Sequence, residues 1–152
     1  MFDILVFVYE HCRQTDIAAD PGRVAKRLTA AGFDEAEISA ALAWLAGSAR
    51  GPQSELGPLS APRTALRAFA PREIAKLDAA ARGFLISLEQ AGILSPPLRE
   101  LVLERALATA DECLSVDQIR LIALMVLWNQ RAPACHLVAE ELRTSGGARL
   151  LH

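Results

Sequence analysis

The sequence predicts an all-α protein, and three observations support that fold class. Hydrophobic residues make up 52% of the 152 residues but aromatic residues only 5%, so a core must consist mostly of Leu, Ala, Ile and Val. Ala and Leu are strong helix formers, and β-branched residues are a minority. Apolar residues recur at helical spacing between breaks that contain Pro or Gly, and no segment shows the alternation of a strand. A chain of this length can bury a core without disulfides.

The first 47 residues are predicted to form a unit of three helices. Residues 1–13 present a broad apolar face, which indicates the first helix. The second and third helices each begin at a capping residue; the second ends at a glycine and the third ends near one, and these residues are common start and stop signals. For the second helix the signals are Asp20 with Pro21 at the start and Gly32 at the end. For the third they are the capping-box pair Asp34 and Glu37 at the start and Gly47 near the end.

A stretch of different character follows at residues 48–66. It contains three prolines that each follow Gly or Ala, and it shows no apolar period. Proline and glycine at this density are typical of a linker or a mobile loop. The sequence therefore favours three parts, at residues 1–47, 48–66 and 67–152, with one compact domain overall as the alternative.

The C-terminal part is predicted to form a bundle of helices. The most apolar helix spans residues 117–129 and is apolar on almost every side from Leu121 to Trp128, as is typical of the buried centre of a bundle. A capping box at Ser115 and Gln118 opens it. The other predicted helices run from Pro71 to Gln90, from Ser95-Pro96 onward, and from Pro133 through Leu142.

Composition and charge indicate the cellular compartment and limit the classes of partner. A formal net charge of −2 gives no reason to expect strong binding of the whole chain to nucleic acid or to an anionic membrane. The cysteines are odd in number and unpatterned in spacing, which favours reduced thiols in a cytosolic protein. The longest apolar run is too short to cross a bilayer, and no signal peptide is evident. We therefore expect a cytoplasmic protein.

Short motifs spread over nearly the whole chain resemble one protein family. Each motif is ordinary for a helix or a turn, but their order and the shared first and last residues make the joint match more specific. The motifs are Met1 to Leu5, the turn Ala31-Gly32-Phe33, the residues Ile38, Ala41, Leu42, Trp44 and Leu45, then Pro71, Glu73, Leu77 and Asp78, Arg82 to Leu85, Leu88 to Gln90, Gly92 to Leu94, Arg99-Glu100, Leu124 to Leu127, and Leu151-His152. In these motifs the chain resembles the bacterial Smg family.

The resemblance implies a small cytosolic helical protein, often encoded near genes for DNA processing and translation. It provides no catalytic residue to transfer, because the family has no established biochemical activity. The chain departs from the family pattern at Ala70, where a threonine precedes the helix-opening proline, and at Arg120, where the family has lysine. The first change removes a hydroxyl cap, and the second keeps the charge but alters the hydrogen-bond geometry.

Patterns for metal or catalytic chemistry are weak. His11-Cys12 and Cys135-His136 could converge on one ion if the first and last helices met, but neighbours on a helix point about 100° apart. Neither CxxC nor HxxxH spacing occurs. The chain also lacks GxSxG and a phosphate loop. Acidic pairs one helical turn apart are more typical of a solvated face than of an acid–base couple. We expect no catalytic residue, metal or cofactor.

A cluster of cations is a candidate phosphate-binding strip. Residues 48–82 have a net charge of +3, whereas residues 1–47 have −3 and residues 83–152 have −2. The alternative is a solvated helix face, and no aromatic residue is interleaved to stack on bases. The five candidate phosphate contacts are Arg63, Arg67, Arg72, Lys76 and Arg82.

Three large side chains and one arginine are candidate contacts for a protein partner. Arg120 lies in the most apolar helix and, if buried, needs a carboxylate, for which Asp78 and Glu89 are candidates. Otherwise Arg120 would lie at the first turn with its head in water. The large side chains that could be half-exposed, with burial in the core as the alternative, are Trp44, Phe69 and Trp128.

The sequence favours a non-enzymatic interaction or accessory protein with a protein partner and no membrane association. The alternative is an accessory factor in DNA or RNA processing that contacts phosphates through residues 63–82. Direct reading of a DNA groove is a weaker hypothesis, since the reading helix would begin with Glu35 and Glu37, whose carboxylates repel the DNA backbone. An enzyme of unrecognised type is the third hypothesis.

Overall fold

The residues that the structure describes contain seven named helices connected by turns and loops. The computed structural model describes residues 1–12, 19–49, 69–130, 135 and 138–140. Apart from one isolated bridge between Leu77 and Leu114, the secondary structure in these ranges is helical, so the all-α prediction is confirmed. The helices are α1 (Phe2–His11), α2 (Pro21–Ala30), α3 (Glu35–Ala49), α4 (Pro71–Lys76), α5 (Ala79–Gln90), α6 (Pro96–Leu107) and α7 (Val116–Asn129).

The start of α2 and the turn that follows it match the local signals in the sequence. The Asp20 carboxylate accepts the Arg23 N–H at 3.0 Å, as a helix cap should. Gly32 ends the turn after α2 with a φ of 95°, a left-handed conformation that favours glycine. Asp34 accepts the N–H of Ala36 at 3.0 Å rather than that of Glu37, so the predicted capping box is formed only in part.

The third helix ends close to its predicted position near Gly47. Gly47 lies inside the helix, which continues two residues further to Ala49. A Cβ at position 47 would overlap the guanidinium of Arg105, so glycine there leaves room for that side chain against α3. Trp44 strengthens the same contact, since its Nε1–H donates to the Arg105 carbonyl oxygen at 3.0 Å.

The single helix predicted from Pro71 to Gln90 is divided into α4 and α5. Leu77 is extended between them and bridges Leu114, whose N–H donates to the Lys76 carbonyl oxygen at 2.6 Å. Asp78 then starts a new helix by accepting the Ala81 N–H at 2.6 Å. The break changes the direction of the apolar face, so that Ile74 of α4 is 46% exposed whereas Leu77 is buried.

Loss of the Asp78 cap at the start of α5 should make the protein less stable. We expect Asp78→Ala to lower the free energy of unfolding by about 1 kcal/mol, because it leaves one of the first N–H groups of α5 without its acceptor. Chemical denaturation followed by circular dichroism measures the change. Asp78→Ser should retain most of the stability, and equal losses for the two variants would contradict a capping role.

The helix predicted at the centre of the bundle occupies that position. The Ser115 N–H donates to the Gln118 side chain at 2.9 Å, and the Gln118 N–H donates to the Ser115 hydroxyl, which completes the capping box. All residues from Leu121 to Leu127 are buried. α7 packs against α1, α3, α5 and α6, so helices of both halves of the sequence share its apolar surface.

Side chains of α7 also hold the C-terminal end of α3. The Asn129 amide donates to the Leu45 carbonyl oxygen at 3.1 Å and to the buried Ser48 hydroxyl at 2.6 Å. The Gln130 amide donates to the Ser48 carbonyl oxygen at 2.9 Å. The last carbonyl groups of an α-helix have no partner within the helix, and the Gln130 amide supplies one for Ser48.

Two other sequence predictions fall largely outside the described residues. Apart from Ser48 and Ala49, which belong to α3, the predicted linker at 48–66 lies outside them. Most of the helix predicted from 133 to 142 does so as well. Within that helix, Val138 and Ala139 are buried in the same core as α7.

Candidate partner-binding surface

The structure separates the residues of the proposed phosphate strip. Arg72 is exposed on α4. Lys76 is half-buried, and its ammonium donates to the Thr109 carbonyl oxygen at 2.6 Å, so it connects α4 to the end of α6. Arg82 is half-buried with its Nε enclosed and without a hydrogen-bond partner. Arg63 and Arg67 lie outside the described residues. Within the described part of the chain, Arg72 alone of this set is a freely accessible cation.

The large side chains proposed as partner contacts lie mostly against the core. Trp44 is 5% exposed and is held by its bond to Arg105. Phe69 is half-buried and packs on the core from the segment before α4. Trp128 is half-buried, with its ring edge-on to Tyr9 at 5.8 Å between centroids. Phe69 and Trp128 retain some accessible surface, whereas Trp44 has almost none.

Arg120 takes neither of the two carboxylates suggested for it. Its Nη1 donates to Asp117, one turn earlier in α7, at 3.0 Å, and its guanidinium lies 5.2 Å from the centroid of the Phe84 ring. Glu89 pairs with Arg99, and Asp78 caps α5. With its side chain 16% exposed, Arg120 links α7 to α5 through a local ion pair and a cation–π contact.

A row of aromatic rings crosses the surface where α1 meets the turn between α2 and α3. The Phe7 ring stacks on the His11 ring at 4.3 Å, with an interplanar angle of 19°. Phe7 also makes an edge-to-face contact with Phe33, with the ring centroids 5.7 Å apart. Both phenylalanines are half-buried and His11 is exposed, so part of each ring faces solvent. We call Phe7, His11 and Phe33 the aromatic ridge.

Cations lie at the His11 end of this ridge. Arg27 of α2 donates from its Nη1 to the His11 carbonyl oxygen at 2.9 Å, which joins α2 to the end of α1. Arg23 and Lys26 are exposed on the same helix. Arg23 lies three residues before Lys26 and four before Arg27, spacings that place it beside each of them on the helix surface. Among the described residues, no ion pair joins any of the three to a carboxylate. We call Arg23, Lys26 and Arg27 the basic rim.

Carboxylates lie at the Phe33 end of the ridge. Asp34 directly follows Phe33, and Glu35 and Glu37 occupy the first turn of α3. All three are exposed, and within the described ranges none is paired with a cation. Negative charge is favourable at a helix N-terminus, so these residues also stabilise α3. We call Asp34, Glu35 and Glu37 the acidic rim.

Sequence reasoning missed this surface for two reasons. Phe7 and Phe33 are far apart in the chain, and only the packing of α1 against the α2–α3 turn brings their rings together. In addition, the net charge of −3 over residues 1–47 concealed a local group of cations. The spacing of Arg23, Lys26 and Arg27 was a usable signal, because it predicts one basic helix face.

The two Cys/His pairs are in unlike surroundings. Cys12 is buried, whereas His11 is exposed in the aromatic ridge. The Cys135 thiol lies 3.9 Å from the Leu124 carbonyl oxygen, and His136 is outside the described residues. The described residues contain no group of three or more metal-ligating side chains. The three cysteines, all of which are described, form no disulfide with one another.

Comparison with known proteins agrees with the family resemblance. A family model named "Protein of unknown function (DUF494)" matches residues 1–152. The chain belongs to this family. A "Protein Smg homolog" of Bordetella pertussis (strain Tohama I) is 42% identical over 152 residues and covers 100% of both chains. The homologues of Azoarcus sp. (strain BH72) and Methylibium petroleiphilum are 42% and 40% identical, again over 100% of each chain. No solved structure matches.

Membership of the Smg family identifies relatives but no chemistry. The names of the family and of these relatives mention neither a substrate nor a partner. Among the residues that the structure describes, no helix has both the length and the apolar composition needed to cross a bilayer. A functional hypothesis for this Smg-family chain therefore depends on its surface geometry.

Proposed function

We propose that this Smg-family protein is a non-enzymatic accessory factor of the bacterial cytoplasm that acts by binding protein. The surface that it uses is the aromatic ridge with the two charged rims. The cytoplasmic assignment is supported by three cysteines that form no disulfide, as is usual for proteins in a reducing compartment.

One observation is the main support for the proposal. Half-buried aromatic rings in contact with one another are flanked on both sides by exposed charges that have no ion-pair partner among the described residues. Protein interfaces have this organisation, with an apolar centre rich in aromatic residues and arginine and with a polar rim. Fixed rings also lose little conformational freedom when a partner covers them.

The surface fits a protein better than it fits a nucleic acid. Phosphate contacts need several accessible cations without nearby carboxylates. Here the acidic rim lies at the other end of the same ridge, and it would repel a polyanion. The exposed face of α3 also lacks cations and amide side chains, since it consists of Glu, Ala and Ser. Base reading in a DNA groove depends on such groups.

The alternative proposal, an accessory role in DNA or RNA processing, retains limited support. It rests on the net charge of +3 over residues 48–82 and on the accessibility of Arg72. Lys76→Glu would be a poor test of the strip, because it also removes the bond to Thr109. Arg72→Glu changes the strip without that side effect.

Affinity capture from the native host with matched variants tests the main proposal. We expect Phe33→Ala and Arg23→Glu each to reduce recovery of a specific protein partner by about tenfold, which corresponds to about 1.4 kcal/mol. Ile74→Ala and Arg72→Glu should leave recovery unchanged, because they remove an exposed apolar side chain and reverse an unpaired charge elsewhere. Quantitative mass spectrometry of the captured proteins measures the difference.

The same variants distinguish the two proposals. Retention of the wild-type protein on heparin that weakens with salt and is lost in Arg72→Glu would favour the phosphate strip. Equal losses of protein recovery for Phe33→Ala and Ile74→Ala would contradict a role for the aromatic ridge. Circular dichroism of each variant shows whether the fold is retained.

A further inference from the structure

The two charged rims are ordered by contacts within the chain. Asp34 of the acidic rim follows Phe33, which touches Phe7. Phe7 stacks on His11, and the His11 carbonyl oxygen accepts from Arg27 of the basic rim. The surface thus runs from negative charge, over aromatic rings, to positive charge. Its polarity follows from the packing of α1 against the α2–α3 hairpin.

The two rims carry opposite charges of equal size, but among the described residues they form no ion pairs with one another. Each has three charged residues, and within the described ranges no ion pair joins a member of one rim to a member of the other, although both belong to a single hairpin. Elsewhere in the structure, exposed or half-buried charges do form pairs, such as Arg99 with Glu100 and Arg105 with Glu104. The charges of the two rims therefore remain available to another molecule.

We propose that the molecule that covers this surface is a second copy of the same chain, related to the first by a two-fold axis. This inference rests on the proposed function, since it assigns the partner of the same surface. A two-fold axis over the aromatic ridge places each basic rim opposite the acidic rim of the other copy, so both contacts form at once. Two-fold dimers use one self-complementary patch in this way.

Charge complementarity favours a second copy over other occupants. A uniformly acidic partner would pair with the basic rim and be repelled by the acidic one, and a uniformly basic partner would meet the opposite problem. A second copy offers each rim a rim of the opposite sign. It also covers the exposed part of Phe7 and Phe33 with the same rings from the other chain, where edge-to-face packing is favourable.

A charge-exchange experiment with the full chain tests the dimer. Sedimentation equilibrium should show a dimer whose dissociation constant rises as salt increases from about 0.05 M to about 1 M, because salt screens exposed charges. Arg23→Glu with Lys26→Glu, and separately Glu35→Lys with Glu37→Lys, should each raise that constant by at least about tenfold. Mixing these two variants should restore association, because each rim then meets one of opposite sign. Arg72→Glu should dimerise like the wild type.

The outcomes separate this inference from the proposed function. A wild-type chain that stays monomeric at low salt and high concentration overturns the dimer. If that monomer still loses a different protein partner on Phe33→Ala, the proposed function holds without the dimer. A wild-type dimer that the rim variants leave intact, or a mixture of the two variants that stays monomeric, shows that copies associate elsewhere and overturns the assignment of this surface.

Discussion

Replacing Leu124 by alanine should lower the free energy of unfolding by about 2–5 kcal/mol, among the largest losses expected for a single residue of this chain. Leu124 is completely buried in the middle of α7, which contacts α1, α3, α5 and α6. The substitution removes apolar surface from the core and leaves a cavity that four packed helices cannot easily close. Since small domains are stable by about 5–15 kcal/mol, a large part of the total would be lost. Urea unfolding followed by circular dichroism measures the shift of the midpoint.

Ile74→Ala provides the matched control for this prediction. It deletes a similar number of atoms from an aliphatic side chain that is 46% exposed, so its cost should stay near that of an ordinary surface substitution, within about 0.5 kcal/mol. In both variants the free energy of unfolding should fall with denaturant concentration at the same rate as in the wild type. A loss below about 1 kcal/mol for Leu124→Ala would contradict a central position for α7.

The part of the fold that could be predicted depends on local chemistry. Asp20 and Ser115 each start a helix where predicted, because a capping side chain acts on N–H groups two or three residues away. The central position of α7 was predictable for a similar reason, since a helix that is apolar on every side has nowhere to lie except in a core. These features need no knowledge of distant parts of the chain.

The error in the helix predicted from Pro71 to Gln90 arises where a distant residue contacts the chain. A periodic apolar pattern runs across residues 71–90, but Leu77 is extended and bridges Leu114. Here a tertiary contact overrides a valid local preference.

The candidate surface was less predictable than the fold for the same reason. Lys76 looked like one of several solvated cations, yet its ammonium binds the Thr109 carbonyl oxygen. The aromatic ridge depends on contacts between α1 and the α2–α3 turn, which no motif in the sequence announces. The sequence did indicate that Arg120, if buried, needs a carboxylate. Its ion pair with Asp117 has the spacing of neighbours on one helix face.

Loss of the Asn129 amide should have the second largest effect on stability. Its Nδ2 donates to the Leu45 carbonyl oxygen and to the Ser48 hydroxyl, which is completely buried. Asn129→Ala leaves the enclosed Ser48 hydroxyl without its donor and removes one of the bonds to the Leu45 carbonyl oxygen, and we expect a loss of about 1–3 kcal/mol in the free energy of unfolding. Asn129→Asp should also be destabilising, since a carboxylate of the same shape would direct an acceptor oxygen at the Leu45 carbonyl oxygen. Gln90→Ala, which removes an exposed amide, should change little.

A double-mutant cycle shows whether the bond between Asn129 and Ser48 accounts for the expected loss of stability. Ser48→Ala alone removes the hydroxyl that accepts from Asn129 and donates to Leu45 at 2.7 Å. If the hydroxyl and the amide act as one unit, the double variant should lose less than the sum of the single losses, by at least about 0.5 kcal/mol. Strict additivity would mean that the two groups stabilise the protein independently. In that case the end of α3 would be held chiefly by Gln130 and by the contact of Trp44 with Arg105, not by the Asn129–Ser48 pair.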